Sequence, residues 1–263
     1  MKKIKTVILG GTCRGIGYLL QTDDSLLIER SASIGGEFFD AYKATDNWDA
    51  ELKTAAACEF RKQMESRQMI RGEQTDFYGL APLIYYKLKE YTDRIMLMSE
   101  LTELKSVGSG FELTVYNQSG KQEIHCEEVI DVSVLCVSDL SFGKANIQEK
   151  KLNAILYTEN LEQALTGSMS GIELSGGRND KELILRMKVE HGAGFAEARE
   201  LLLTAWGTRP EELKDSRISS IAKEFDFTFQ ENEHQFTKNW KYVNPINFSN
   251  PLLAIDAGEI SVL

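Results

Sequence analysis

The chain has 263 residues, 42% hydrophobic and 27% charged, which suits one large α/β domain or a domain carrying a smaller insert. Its formal net charge of −10, with no run of Lys and Arg, argues against nucleic-acid binding, which needs clustered cations to meet phosphates. No stretch approaches the ~18 apolar residues of a membrane helix, and the apolar run at residues 6–9 is too short for a leader peptide.

Ile4–Leu9 is rich in β-branched residues and reads as a buried parallel strand. It runs into Gly10-Gly11-Thr12-Cys13-Arg14-Gly15-Ile16-Gly17, then a short helix over residues 16–21. Asp23-Asp24 ends that helix, and a second strand, Ser25–Ile28, ends on Glu29. Glycines after the first strand allow a tight turn and close approach of a pyrophosphate to the helix N-terminus, and an acid ending the second strand suits a ribose. In a G-x-G-x-x-G reading the positions are Gly10, Thr12 and Gly15, so a threonine replaces the middle glycine. The pattern predicts a βαβ dinucleotide-binding unit.

Two cofactors fit these glycines. From Gly11 the spacing G-x-x-x-G-I-G resembles the NAD(P)-dependent short-chain dehydrogenases, and Tyr85 and Lys89 supply a Tyr-x-x-x-Lys. That pair comes too soon after the glycines for that family and reads as coincidence on a helix. The residues after Glu29 favour FAD: Arg30, four residues, then Gly35-Gly36. An acid followed by a Gly-Gly pair resembles FAD-dependent oxidoreductases of the glutathione-reductase type.

Downstream, residues 49–64 and 77–91 read as helices and 94–99 as a strand. Segments 103–106, 111–116 and 122–125, separated by glycine-containing turns, read as a β-meander, with Glu128–Ser133 as a further strand. This order is similar to that family's adenine-contacting strand, meander and returning strand. Leu252–Ala257 resembles its C-terminal strand, and Asp256 would then bond the ribityl chain. The resemblance implies a Rossmann-like FAD/NAD(P)-binding α/β fold with a three-stranded meander. It implies FAD contacts at Gly10, Gly11, Thr12, Cys13, Arg14, Gly15, Glu29, Arg30, Gly35, Gly36, Leu101 and Asp256, with NAD(P)H as a reductant.

Between these parts, 152–157 and 182–189 read as strands, 195–206 and 210–225 as helices, and 227–230 as a strand. They suggest an α+β substrate-type domain. The expected organisation is therefore an FAD-binding domain over 1–140, an insert over 141–243 and a return strand in 244–263. His191-Gly192-Ala193-Gly194 reads as an ordinary strand-to-helix turn, because Glu197 near the helix start would repel phosphate.

Cys13, Cys58, Cys126 and Cys136 form no C-x-x-C pair and no metal-ligand spacing with histidine, so reduced thiols, a cytoplasmic location and no bound metal are expected. Cys58, His191 and His234 each read as isolated residues, and no catalytic residue is assigned. The expected function is oxidation or reduction of a small molecule, with a non-catalytic subunit of the same fold and an NAD(P)-binding reductase as alternatives. Because the family continues past its ribityl-binding Asp into a helix, a protein partner or second copy could complete the C-terminal side of the flavin site.

Overall fold

The computed structural model of the chain describes residues 3–71 and 74–261. Strand β1 (Lys3–Leu9) is buried at Val7, Ile8 and Leu9, as its β-branched run requires. It leads through the glycine turn into α1 (Cys13–Gln21) and β2 (Ser25–Ile28). A single turn, α2 (Gly36–Phe39), precedes α3 (Ala55–Ser66) and a two-residue hairpin, β3 (Ile70–Arg71) and β4 (Gln74–Thr75). Next come α4 (Leu80–Leu88), flanked by 3₁₀ turns, and the short β5 (Ile95–Met96).

Strands β6 (Glu100–Val107), β7 (Gly110–Asn117) and β8 (Gly120–Asp131) pair antiparallel in sequence order. The two segments read as separate strands at 122–125 and 128–133 belong largely to one, β8. Its outer half pairs with β7, and its inner half runs parallel to β1.

After α5 (Leu140–Ala145), a second sheet is built from β9 (Ile147–Tyr157), β10 (Ile172–Gly176), β11 (Glu182–Lys188), β12 (Arg217–Ile221) and β13 (Asp226–Phe229). Helices α6 (Leu161–Thr166) and α7 (Phe195–Gly207) accompany it, and Ala198, Leu202 and Trp206 of α7 join its core. β14 (Glu233–Thr237) and β15 (Trp240–Val243) then rejoin the first sheet, so the chain returns before residue 244, where the sequence placed the crossing. The first sheet has the order β14-β15-β8-β1-β2-β5, and its last five strands are mutually parallel.

Two expected elements differ. Residues 210–225 are not a helix but a 3₁₀ turn, Glu211–Leu213, followed by β12. Pairing of Arg217–Ile221 with β9 overrides the helix-start signal of Pro210 and its two glutamates. Residues 252–257 are not a strand but lie within α8 (Pro251–Ile260). Asn250 caps it, its side chain accepting the Leu253 N–H at 3.0 Å, and Pro251 stands at the first helical position. The apolar run that read as a strand buries Leu252, Ala254 and Ile255 against α1 and α3.

α1 and α8 cross at two glycines. A Cβ on Gly17 would lie 2.1 Å from Ile255 O, and one on Gly258 would lie 2.2 Å from Arg14 O. Only glycine allows these backbones so close. A C-terminal helix thus belongs to this chain.

Candidate functional site

In the pairing register, Leu9 is level with Ile28 of β2 and Asp131 of β8. Gly10, Glu29 and Val132 therefore leave the sheet side by side at the carboxyl ends of three parallel strands, where open α/β sheets bind ligands. A cleft opens there. Gly10, Gly11, Thr12, Glu29, Arg30, Gly36 and Leu101 all line it.

The glycine turn is fixed by contacts that leave no space for side chains. Gly10 has φ +110°, and a Cβ there would sit 2.6 Å from Ser133 N. At Gly15 a Cβ would meet Gly10 O at 2.3 Å. Thr12 stands at the middle position because its hydroxyl has two partners: it accepts the Gly15 N–H at 3.1 Å as N-cap of α1 and donates to Val132 O at 3.0 Å. The side chain ties the turn to the exit of β8.

Glu29 spans the two strand ends. One oxygen accepts Gly11 N–H and the other Ser31 N–H, each at 2.7 Å. Gly35 donates its N–H to Gly11 O at 2.7 Å, which docks the Gly-Gly loop on the same turn. Cys13, Gly15 and Gly35 do not line the cleft; a Cβ on Gly35 would lie 3.2 Å from Cys13 Sγ, and one on Gly15 would meet Gly10 O. Arg14 points away: its guanidinium donates to Asn244 O at 2.8 Å and lies over Phe248, and burial pushes its pKa down. Asp256 lies elsewhere, on α8. Its Oδ1 accepts Lys53 N–H, Thr54 N–H and the Thr54 hydroxyl, each at 2.8 Å, at the start of α3.

Ser133 and Val134 line the cleft at the end of the returning strand that the sequence pointed to, with Leu135 after them, while Glu224, Phe225 and Phe227, which carried no sequence signal, come from β13 and the segment before it. The least foreseeable is Glu37. Its carboxylate lies at the N-terminus of α1, where Oε1 accepts Cys13 N–H at 2.6 Å. Oε2 is buried and has no hydrogen-bond partner among the described residues. Burial pushes its pKa up to about 7, against the opposing bond from Cys13 and the charge of Lys43.

The lining carries Glu29, Glu37, Asp40, Glu100 and Glu224 against Arg30. Burial also raises the Glu224 carboxyl; Arg30 opposes that, and Asp40 and Glu29 add to it.

A second cavity lies between the first unit and the second sheet. It is bounded by Asp46, Thr75, Phe77, Ser175, Arg178 and Arg186. Thr75 Oγ1, Ser175 Oγ and Arg186 Nε are buried there without hydrogen-bond partners among the described residues. Arg178 is already paired with Glu182, at 2.5 Å. No metal-binding cluster occurs among the described residues, and no described helix is long and apolar enough to cross a membrane.

Solved structures share this arrangement of two sheets and their helices. A p-nitrophenol 4-monooxygenase from Pseudomonas putida superimposes with a TM-score of 0.62 at 13% identity, covering 100% of this chain and 78% of that one. An anhydrotetracycline hydroxylase from Streptomyces rimosus matches with a TM-score of 0.64 at 12% identity, over 98% of this chain and 60% of that one. An aklavinone-11 hydroxylase, solved in a ternary complex with FAD and aklavinone, gives a TM-score of 0.56 at 11% identity, over 98% and 61%. The chain has the fold of these hydroxylases. It spans about three fifths of the length of the latter two. No family model matches the chain, and no curated protein sequence matches it.

Proposed function

We propose that the chain is an FAD-dependent oxidoreductase that acts on a small aromatic molecule. The observation that carries this reading is Glu29, held by Gly11 and Ser31 at the lip of a cleft beyond the parallel strands, in a fold shared with FAD-bound aklavinone-11 hydroxylase. This geometry fits the adenosine half of FAD. Glu29 would accept hydrogen bonds from the ribose, Leu101 would flank the base, and Gly10 and Gly11 give the backbone clearance that the linkage beyond the ribose needs. The diphosphate seat fits on one condition, that Glu37 yields the α1 N-terminus.

FAD, when bound, would supply the redox chemistry. The chain's own residues would orient the ligands and exclude water. The second cavity is proposed as the substrate site. Phe77 offers an aromatic face, and the unpartnered donors of Thr75, Ser175 and Arg186 could meet a phenol or carboxylate oxygen.

A second reading, a non-catalytic subunit of the same fold, draws support from the acidic lining and from Glu37 at the phosphate seat. The absorption spectrum of the purified protein, recorded before and after incubation with FAD and desalting, separates the two. Retained flavin bands support the enzyme. A colourless protein at every pH supports the subunit.

A further inference from the structure

Three features of Glu37 coincide. Its carboxylate sits at the amino end of a nine-residue helix, the place in this fold class where a phosphate is held by backbone N–H groups. It is 6% exposed, and one of its two oxygens has no hydrogen-bond partner among the described residues. It also lines the same cleft as Glu29, so the residue that would hold the ribose and the residue that fills the next seat face one space.

Two N–H groups of the α1 start are already engaged, Cys13 N by Glu37 and Gly15 N by Thr12. A diphosphate entering this seat must take the first of these and tolerate the carboxylate beside it. Two anions in one buried seat repel, and a protonated acid there becomes a hydrogen-bond donor instead.

We propose that Glu37 is a proton-operated gate on this cleft: ionised, it occupies the α1 N-terminus as an internal anion, and protonated, it admits the diphosphate of a dinucleotide. This inference rests on the FAD reading. The unpartnered Oε2 would then carry the proton and donate to a phosphate oxygen.

The charged and titratable groups around Glu37 come from every side. Cys13 faces it from α1 and, being buried, holds its proton more tightly than a free thiol. Lys43, after α2, is the cation coupled to it, but that ammonium donates to Ile246 O, lies over the Phe38 ring and is shared with Asp226 of β13. Asp40, Glu29, Arg30 and Glu224 share the cleft. With burial holding the Glu37 proton to about pH 7, the gate would work near neutrality.

The test is FAD affinity, read from quenching of flavin fluorescence between pH 6 and 8.5, for the unmodified protein and Glu37→Gln. The unmodified protein should bind about tenfold more weakly at pH 8 than at pH 6, following proton linkage. Glu37→Gln should bind tightly throughout and lose the tenfold step, because any contribution of the other cleft acids is common to both proteins and cancels in their ratio. If Glu37→Gln fails to fold, calorimetry of the unmodified protein at pH 8 in buffers of different ionisation enthalpy should show uptake of about one proton per FAD. FAD binding with the same affinity at every pH, no gain in Glu37→Gln, or no proton uptake overturns the gate and leaves the cofactor reading standing. Failure of both proteins to take up FAD at any pH removes the cofactor reading and the gate with it.

Discussion

Glu29 folds its carboxylate onto the backbone of Gly11. Oε2 accepts the Gly11 N–H at 2.7 Å, and a Cβ on Gly11 would lie 2.9 Å from Glu29 Cγ. The second strand can end on this acid only because the first turn supplies a residue without a side chain. Gly11→Ala should therefore push Glu29 aside at a stability cost of about 1–2 kcal/mol, since the obstructing atoms belong to a side chain. FAD retention after desalting should fall more than that cost implies.

Gly10→Ala meets backbone instead, 2.6 Å from Ser133 N, and needs a φ of +110° that an L side chain avoids. A loss on the order of 4 kcal/mol is expected, read as the urea midpoint at constant slope.

Asp256→Asn separates the two places where that residue could act. Its carboxylate is bonded to Lys53 and Thr54 at the start of α3, so the substitution should cost about 1–3 kcal/mol. Flavin affinity should stay the same. A large loss of flavin with unchanged stability would restore the ribityl role that the sequence suggested.

Glu37 binds its proton more tightly in the folded chain than in the unfolded one, having moved from the usual carboxyl value of 4.5 to about 7. For a raised acid the folded state holds more protons between those values, so stability falls as pH rises through that window and levels off above it. Glu37→Gln should match the parent near pH 4. Above pH 7 it should gain on the order of 3 kcal/mol, seen as a melting temperature several degrees higher. A constant gap between the two proteins across pH 4–8 would contradict this.

Asn250 is fully buried. It caps α8 through Leu253 N–H and donates to Asp46 O and Asn47 O, each at 3.0 Å. Asn250→Ala removes the cap and leaves two carbonyls short of a donor, for an expected loss of about 2–4 kcal/mol by denaturant unfolding.

The first βαβ unit was legible because each of its parts has a local cause: a β-branched run, glycines at positions that a Cβ would block, a capping threonine and a terminal acid. The C-terminus misled because Leu252–Ala257 is apolar enough for a buried strand, and only Asn250-Pro251 before it marks a helix start. β12 was missed for the opposite reason. Its start follows a good helix signal at Pro210, and only the free edge of β9 makes Arg217–Ile221 a strand. In the cleft, the glycines and the strand-ending Glu29 could be named. Glu37 directly follows Gly36, but its reach back to the Cys13 N–H depends on how the Gly-Gly loop docks, and Glu224 and Phe227 arrive from distant sequence.

The crossing of Gly17 with Gly258 also orders events during synthesis. α1 is made well before the helix it crosses, with most of the two sheets between them in sequence. Until Pro251–Ile260 emerges, the face of α1 around Gly17 lacks the helix that crosses it. Such long sequence separation slows folding and prolongs exposure of apolar surface. A nascent chain stalled before residue 251 should therefore be a chaperone client and open to protease at the α1 segment. Synthesis of α8 should close that window.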